Sequence, residues 1–274
     1  MAATEPIDIV ELAAADTQDG LVLSMEAHWN QNEDDWRFFL RHGVVFGVRD
    51  GARLVATAAL LPYAAGNAWI SMVLVTADFR RRGIATKLID ACLDAAKQRG
   101  LTTWLDATPA GATVYGPLGF APTMELRRLR LAATTKRATT TPPSTGDLET
   151  LIARDADVIG FERRALLSEF AARPGSRIAS GEGAIALVRD GRTARHIGPV
   201  IADRADQASK LVDSIAGSEP GPLLIDAVFS QDLFLDGLVQ SGWAIERPFQ
   251  RMRFGPPAAP PAQLPFAAAG PEFG

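Results

Sequence analysis

The sequence contains two related halves, and this repeat constrains the fold more than any other feature. The tetrapeptide Val-Arg-Asp-Gly occurs at residues 48–51 and again at 188–191, each time after a short apolar run. Three further segments recur in the same order 120 to 125 residues later, namely 75–78 at 200–203, 105–107 at 225–227, and Gly119-Phe120 at Gly242-Trp243. Four matches in one order predict two copies of one fold, with the spacing differences placed in loops.

The chain is long enough to hold these two copies. It has 274 residues, of which 47% are hydrophobic, and a typical domain holds about 150 residues. Residues 132–146 are rich in Thr, Ser and Pro without apolar periodicity. They are therefore predicted to form a linker between a first domain at 1–131 and a second at 147–254. Residues 255–274 form a Pro- and Ala-rich tail, in which Leu264, Pro265 and Phe266 can dock on a surface.

Charge and residue usage exclude several functional classes. The formal net charge is -4, so the chain lacks the basic footprint of a nucleic-acid-binding protein. Cys92 is the single cysteine and the three histidines are scattered, which argues against disulfides and against a zinc site. The sequence contains neither a secretory signal nor a stretch of about eighteen apolar residues that could span a membrane. A cytoplasmic protein without a metal is expected, and its oligomeric state stays open.

Apolar periodicity in the first half predicts an α/β fold (α+β mixed), in which helices pack on a mixed sheet. Helices are expected at 16–30, at 33–41 and from Ile84 to Gly100, with a shorter one between Thr108-Pro109 and Tyr115. Strands are expected at 44–48, 54–61, 68–75, 102–106 and 125–131, the first two as a hairpin around 49–51.

The segment from Arg80 to Ala85 is the part of the sequence that points to chemistry. It follows a predicted buried strand and reads Arg-Arg-Arg-Gly-Ile-Ala at the start of a helix. The first turn of a helix has free backbone N–H groups and partial positive charge, and Gly83 allows a ligand to approach the main chain closely. Arginines in a first turn oppose the helix dipole unless an anion is bound, so a phosphate or diphosphate site is predicted. The Rossmann and P-loop phosphate motifs are both absent from the sequence.

This segment resembles the acyl-CoA motif of the GNAT superfamily of N-acetyltransferases. Arg80, Gly83 and Ala85 match the family pattern (Q/R)-x-x-G-x-(G/A), and residues 114–120 (Val-Tyr-Gly-Pro-Leu-Gly-Phe) follow at the expected distance. The second half resembles the degenerate GNAT-type domain found in a group of two-domain bacterial acetyltransferases. Members of that group also have a Trp-Asn-Gln segment near the N-terminus, here Trp29-Asn30-Gln31, and a Leu-Asp-Ala-Thr segment, here 105–108. The resemblance implies tandem GNAT-like domains, each with a mixed, mostly antiparallel sheet flanked by helices.

The resemblance also implies a role for each motif residue. Backbone groups of Val73, Leu74 and Val75 would pair with the pantetheine arm of acetyl-CoA, beside which GNAT sheets splay open. Tyr115 would protonate the leaving thiolate as a general acid, and a role as a core aromatic is the alternative. The loop after the strand would bind the diphosphate. Its residues are Arg80, Arg81, Arg82, Gly83, Ile84, Ala85 and Thr86.

The general base and the acceptor pocket are less defined. An amine must lose a proton as it attacks, and Asp106 and His28 are the candidate bases. Each has a structural alternative, Asp106 as a turn or cap carboxylate and His28 as a surface or helix-end histidine. Trp29, Asn30 and Tyr63 fall in segments that form the acceptor wall in GNAT folds, so they are expected to bind the substrate.

The second copy lacks the residues on which this chemistry depends. The start of its corresponding helix has no glycine and contains Asp206, which would repel phosphate, and Leu238 stands where the first copy has Tyr115. One acetyl-CoA site per chain is therefore predicted. The expected function is acetyl-CoA-dependent N-acetylation of a small amine by direct attack on the thioester. A non-catalytic acyl-CoA-binding or sensing protein is the alternative.

Overall fold

The computed structural model describes residues 8–133, 141–219, 221–256 and 261–274. The chain divides into two compact units, one made of Met1–Pro62 and Gly66–Trp104 and the other of Tyr63–Ala65 and Leu105–Gly274. Each unit combines hydrogen-bonded β-strands with α-helices. The predicted fold class, a mixed α/β structure, is confirmed.

The first unit follows the predicted order of helices and strands. Its elements are β1 (Ile9–Glu11), α1 (Thr17–Glu26), α2 (Glu33–His42), β2 (Val44–Asp50), β3 (Arg53–Tyr63) up to Pro62, β4 (Asn67–Val75), α3 (Ile84–Gln98) and the start of β5 (Thr102–Ala107). The strands are ordered β1-β2-β3-β4-β5. Strand β2 is antiparallel to both β1 and β3, whereas β4 and β5 are parallel.

Local sequence explains where these helices begin and what they bury. Asn32 accepts a hydrogen bond from the backbone N–H of Asp35 at 3.0 Å, and the Asp35 carboxylate accepts one from the N–H of Asn32 at 3.1 Å. This capping box starts α2. The indole of Trp36 is fully buried and donates to the hydroxyl of Ser24 on α1 at 3.0 Å. The buried positions of α3 recur at helical spacing. They are Ile84, Leu88, Ile89, Cys92 and Ala96.

The second unit repeats this order after the end of β5. Its further elements are α4 (Pro109–Tyr115), β6 (Ala121–Leu131), β7 (Ser144–Thr145), α5 (Leu148–Ile159), α6 (Arg164–Ala172), β8 (Arg177–Gly181), β9 (Ala184–Arg189), β10 (Arg195–Ala202), α7 (Ala205–Ser218), β11 (Leu223–Val228), α8 (Asp232–Gln240) and β12 (Ala244–Phe254). The strands are ordered β12-β6-β11-β10-β9-β8-β7. Strands β10 and β11 are parallel, as β4 and β5 are, so β10, α7 and β11 correspond to β4, α3 and β5.

The last strand of the first copy, β6, belongs to the second unit. It lies between β11 and β12 and pairs antiparallel with both of them. The compact units therefore divide after Trp104, whereas the repeat in the sequence placed the first domain at 1–131. The two divisions differ because β6 makes its backbone hydrogen bonds with strands of the other copy.

The linker and the tail that the sequence predicts contain ordered structure. Residues 134–140 of the linker lie outside the described residues, but Ser144–Thr145 form β7, which pairs antiparallel with β8. In the tail, residues 257–260 also lie outside the described residues. The segment that follows packs into the second unit rather than only touching its surface, since five of its residues are at most 3% exposed. These are Phe266, Ala267, Ala268, Ala269 and Phe273.

Candidate active site

Strand β4, which carries the predicted pantetheine-binding residues, contains one residue in a left-handed conformation. Met72 has a φ of 52°, and its carbonyl accepts a hydrogen bond from the buried hydroxyl of Thr57 at 2.8 Å. This conformation costs a non-glycine residue about 1–2 kcal/mol, and such strain is concentrated at functional sites. The residues that follow are Val73 and Val75, which are half-buried, and Leu74, which is buried. They lead directly into the predicted phosphate loop.

The loop from Arg80 to Gly83 has the backbone of an anion site. Arg81 has a φ of 61° and Gly83 a φ of 76°, so both are left-handed. Helix α3 begins directly after Gly83, and no side chain of the described residues caps it. Within the described part of the chain, no atom beyond the chain neighbours lies within 4 Å of the position that a Cβ would take on Gly83. Uncapped N–H groups beside an open glycine fit a polyanion such as a diphosphate.

Two of the three loop arginines bond to backbone carbonyls of the residues that precede the loop. The Nε of Arg80 donates to the carbonyl of Val75 at 3.0 Å, and Arg82 donates to the carbonyl of Asp78 at 2.7 Å. The guanidinium of Arg82 also lies 4.6 Å from the centroid of the Phe79 ring. All three arginines are exposed. The loop therefore presents a local positive charge on a chain whose net charge is negative.

Glu26, at the end of α1, binds the residues between β4 and this loop and was missed by the sequence analysis. Its carboxylate accepts hydrogen bonds from the hydroxyl of Thr76 at 2.7 Å and from the N–H of Ala77 at 2.9 Å. Arg53 in turn donates to the hydroxyl of Thr76 at 3.0 Å. The hydrogen bonds from Thr76 and Ala77 lower the pKa of Glu26. No spacing in the sequence signals this contact, because it joins residues fifty positions apart through a helix end and a strand end.

Tyr115 is the last residue of α4, a short helix that begins at a side-chain cap. The hydroxyl of Thr108 accepts a hydrogen bond from the N–H of Gly111 at 3.2 Å. A Cβ on Gly111 would lie 3.0 Å from the ring of Tyr115, so glycine leaves room for the ring there. The ring is half-buried and its centroid lies 5.9 Å from that of Phe120, which lies 5.5 Å from that of Phe254. Aromatic packing thus fixes the ring of the predicted general acid.

Asp106, one of the candidate bases, is held in a buried ion pair. Its two carboxylate oxygens each accept a hydrogen bond from Arg251 of β12 at 2.8 Å. Burial raises the pKa of Asp106, and the charge of Arg251 opposes that shift. Asp226, its counterpart in the second copy, forms the same bidentate pair with Arg128 of β6, also at 2.8 Å. This geometry favours the structural interpretation of Asp106, and its catalytic role stays a prediction.

The comparison with protein families places both halves in one superfamily. Residues 9–120 match the model of the "Acetyltransferase (GNAT) family", and residues 151–265 match that of the "Acetyltransferase (GNAT) domain". The chain belongs to the GNAT superfamily. It is an acetyltransferase with two GNAT domains, and the recognition made from the Arg80–Ala85 motif is confirmed.

Individual GNAT relatives agree with this assignment along nearly the whole chain. The "Uncharacterized N-acetyltransferase YitH" of Bacillus subtilis is 24% identical over 240 residues, which cover 81% of this chain and 83% of that protein. A putative acetyltransferase from Pyrococcus horikoshii has the same fold, with a TM-score of 0.83, 18% identity and coverage of 100% of this chain and 98% of that one. A tandem GNAT protein from the clavulanic acid biosynthesis pathway has a TM-score of 0.62 at 16% identity, covering 92% of this chain and all of that one.

His28, the other candidate base of this GNAT enzyme, lies at the C-terminal end of α1. Its φ of 56° is the left-handed conformation of a Schellman motif, in which the N–H of Trp29 donates to the carbonyl of Ser24 at 2.9 Å and that of His28 to Met25 at 3.1 Å. The histidine is exposed to solvent. The backbone of His28 thus has a structural role, while its side chain is accessible.

The three residues predicted to bind the acceptor fall in different places. Trp29 and Asn30 are adjacent in the first unit, where Trp29 is half-buried and Asn30 is 7% exposed. Tyr63 belongs to the second unit, and its hydroxyl donates to the carbonyl of Phe273 at 2.9 Å while its ring stacks on that of Phe161. Desolvation raises the pKa of Tyr63. The contact with Phe273 could not be foreseen, because it joins residues far apart in the sequence.

None of the helices in the described part is both long enough and apolar enough to cross a membrane. Within the same residues, no cluster of three or more His, Cys, Asp or Glu side chains is arranged to hold a metal ion.

Proposed function

We propose that this enzyme transfers the acetyl group of acetyl-CoA to the amine of a small molecule. The observation that supports the proposal is the loop from Arg80 to Gly83, with its two left-handed residues, three exposed arginines and uncapped helix. GNAT enzymes in general use acetyl-CoA and small-molecule acceptors. The loop therefore supplies the donor half of the reaction, and the acceptor is inferred from the family.

In this proposal the backbone does most of the binding. The N–H groups from Arg81 to Thr86 bind the diphosphate, and the three arginines add charge-assisted contacts. The strand residues Val73–Val75 pair with the amides of the pantetheine arm, as an added strand would. Arg80 now donates to the carbonyl of Val75. That carbonyl has a second lone pair, so an amide of the pantetheine arm can bond there beside the guanidinium of Arg80.

The proposed reaction is an acyl transfer without a covalent enzyme intermediate. The amine nitrogen attacks the thioester carbonyl carbon, the C–N bond forms and the C–S bond breaks. Tyr115 gives its phenolic proton to the departing thiolate. The amine nitrogen loses one proton to a base, which returns a proton to the Tyr115 phenolate. The products are an N-acetylated amine and free CoA thiol.

The base in this scheme is His28 or solvent water. The Asp106 side chain is fully buried and both of its carboxylate oxygens are bound by Arg251, so His28 and water are the accessible candidates. His28 is exposed to solvent. A His28→Gln variant separates the two possibilities, because a large fall in kcat with an unchanged KM for acetyl-CoA assigns the proton transfer to His28. An unchanged kcat assigns it to water.

The proposal is tested by following thiol release from acetyl-CoA in the presence of a panel of amines. The panel includes amino acids, polyamines and aminoglycosides, with matched alcohols as controls. Amine-dependent thiol release with stoichiometric N-acetyl product is expected for at least one of these classes. Tight binding of acetyl-CoA without thiol release for any amine would instead support an acyl-CoA-sensing function.

A further inference from the structure

The second copy has a sheet opening that corresponds to the end of β4. Strands β10 and β11 pair in parallel at three positions only, the last being Ile197 with Ile225. Strand β10 then continues to Ala202 and β11 to Val228. Beyond the last pair, the backbone groups that face the opening need partners, because a buried unpaired N–H or carbonyl is costly.

Those partners come from the tail of the same chain. Val200 of β10 donates to the carbonyl of Ala267 at 3.0 Å and accepts from the N–H of Phe266 at 2.8 Å. On the other side, Val228 of β11 donates to Phe266 at 2.9 Å, and Ala268 donates to Asp226 at 2.9 Å. The tail therefore bridges the two diverging strands at Ala267, which forms an isolated bridge with Val200 of β10 and another with Ala227 of β11.

Buried cations hold the residues that follow. Arg163, which pairs with Asp155 at 2.7 Å, donates to the carbonyl of Phe273 at 2.9 Å. Arg189 donates to the carboxylate of Glu272 at 3.2 Å, and its guanidinium lies 5.3 Å from the centroid of the Phe273 ring. Both arginines are at most 3% exposed. Arginines of the second copy thus bind a backbone carbonyl, a carboxylate and an aromatic ring of the tail.

The tail contacts the positions that correspond to the predicted pantetheine-binding residues. In the repeat Val200 corresponds to Val75, and Gly198 corresponds to Val73. A Cβ on Gly198 would collide with the carbonyl oxygen of Ala268 and would lie 2.8 Å from the ring of His196. Glycine at this position therefore allows the tail backbone to approach β10.

We propose that the opening between β10 and β11 is a binding site for a peptide that bridges the two strands, and that its resident ligand is Leu264–Gly274 of the same chain. This segment takes the position that, under the proposed function, the first copy offers to the pantetheine arm. The second copy would then be closed to coenzyme by a peptide as well as by the loss of its loop and tyrosine. The tests below use no coenzyme, so their failure would leave the acetyltransferase proposal intact.

Hydrogen–deuterium exchange on the full chain tests whether the segment is bound. We expect the amides of Phe266, Ala268, Val200 and Val228 to be protected together. Gly198→Ala should speed their exchange at least about tenfold, because the new Cβ meets a backbone carbonyl that cannot swing aside. Gly181→Ala is the matched control, since its Cβ makes only an ordinary contact with Leu211 at 3.7 Å. Exchange of Phe266 and Ala268 in the unaltered chain at the rate of a free peptide would overturn the proposal.

A peptide added in trans tests whether the opening is a site. In the full chain, Ala267→Asp places a charge between β10 and β11 and should release the tail, since Ala267 is fully buried. A labelled synthetic peptide of residues 262–274 should then bind this variant with a stoichiometry of one. The unaltered chain should bind the same peptide at least about a hundredfold more weakly. A folded Ala267→Asp chain that does not bind the peptide would overturn the proposal, and if that variant does not fold, the exchange experiment decides alone.

Discussion

The two copies can be compared element by element, because β4, α3 and β5 of the first correspond to β10, α7 and β11 of the second. The strands, the parallel pair and the helix that follows it are present in both. The copies differ in the loop before the helix and in the residue at the position of Tyr115. They also differ at the end of β4 and β10, where, in the described part of the chain, only β10 is paired with the tail. Copies of one fold can thus keep their architecture while only one keeps the groups predicted for catalysis.

The loops show the difference most directly. In the first copy Arg81 and Gly83 are left-handed and the helix begins without an acidic residue in its first turn. In the second copy Arg204 precedes the helix and donates to Asp206 through two hydrogen bonds of 2.9 Å. The bonds from Arg204 lower the pKa of Asp206 to about 2. The cation that could meet a phosphate is therefore already neutralised by an internal anion.

What the copies still share is a pair of reciprocal buried contacts. Asp226 of β11 bonds to Arg128 of β6, and Asp106 of β5 bonds to Arg251 of β12. Each pair joins a strand of one copy to the last strand of the other. Each pair has two hydrogen bonds, and all of them measure 2.8 Å. Asp226 gains a further hydrogen bond with His196 at 2.9 Å. These contacts depend on the exchange of the last strands, not on the residues predicted for catalysis, which the second copy lacks.

The largest effect is expected from breaking one of these pairs. Asp226→Asn leaves Arg128 buried without its counter-charge, which should reduce the free energy of unfolding by about 3–5 kcal/mol. Asp106→Asn should cost about as much, because the geometry is the same. Chemical denaturation with a linear extrapolation measures both. Glu149→Gln, which removes an exposed ion pair with Arg164, is the control and should cause no resolvable change. A comparable loss in the control would contradict the special role of the buried pairs.

The same pair predicts how stability depends on pH. Although burial opposes it, the charge of Arg128 and the hydrogen bonds from His196 and Arg128 lower the pKa of Asp226 in the folded chain. A carboxyl with a lowered folded pKa contributes its full stability above the unfolded pKa and loses it as the pH falls through the folded one. The difference in unfolding free energy between the unaltered chain and Asp226→Asn should therefore shrink on acidification below about pH 4. A difference that grows there would contradict the assignment of the charge.

The next largest effect, on the catalytic rate, is expected at Tyr115, whose counterpart in the second copy is Leu238. Tyr115→Phe removes the proton donor but keeps the ring beside Phe120, so kcat should fall about 100-fold with little change in the KM for acetyl-CoA. Steady-state thiol release measures both constants. Thermal unfolding serves as the control and should be nearly unchanged, since the packing stays. An unchanged kcat would remove the general-acid role from Tyr115.

A smaller effect is expected from the loop glycine. Gly83→Ala adds a Cβ at a φ of 76° where a ligand approaches, and should raise the KM for acetyl-CoA about tenfold and cost about 1 kcal/mol of stability. Gly160→Ala is a matched control, because Gly160 has a φ of 90° and no described atom near its Cβ position. The control should lose similar stability and keep its KM. Equal KM values for the two variants would show that the loop does not contact the coenzyme.

Much of the fold could be predicted because it rests on local rules. Strand β4 and helix α3 were expected from apolar periodicity, and the structure has them at Asn67–Val75 and Ile84–Gln98. Because the repeat places Asp226 at the position of Asp106, the sequence favoured a structural role for Asp106. It did not indicate that each aspartate pairs with an arginine. Those partners lie on strands that exchange between copies, and pairing of distant strands leaves no short-range signal in a single sequence.

The tail and the site were harder to predict for related reasons. The prolines argue against a regular element in the tail, and none forms among its described residues, but Phe266 and Ala267 bridge two strands because they fit a gap that only the folded chain creates. At the candidate site, the loop around Gly83 could be predicted because the residues of its motif are contiguous in the sequence. Glu26 and the strained Met72 could not, since hydrogen bonds from Thr76 and Thr57 reach them across the fold.

The smallest effect is expected from relieving the charge in the second loop. If Asp206 alone prevented the second copy from binding coenzyme, Asp206→Asn would release Arg204 and create a second coenzyme site. We expect isothermal titration with acetyl-CoA to give one site per chain for both the unaltered protein and the variant. The reason is that the second loop has no glycine before its helix, Leu238 replaces the tyrosine, and Phe266 already bonds to Val200 at the corresponding strand position. A stoichiometry of two in the variant would mean that a single carboxylate separates the copies, and that neither the tail nor the missing glycine closes the second one.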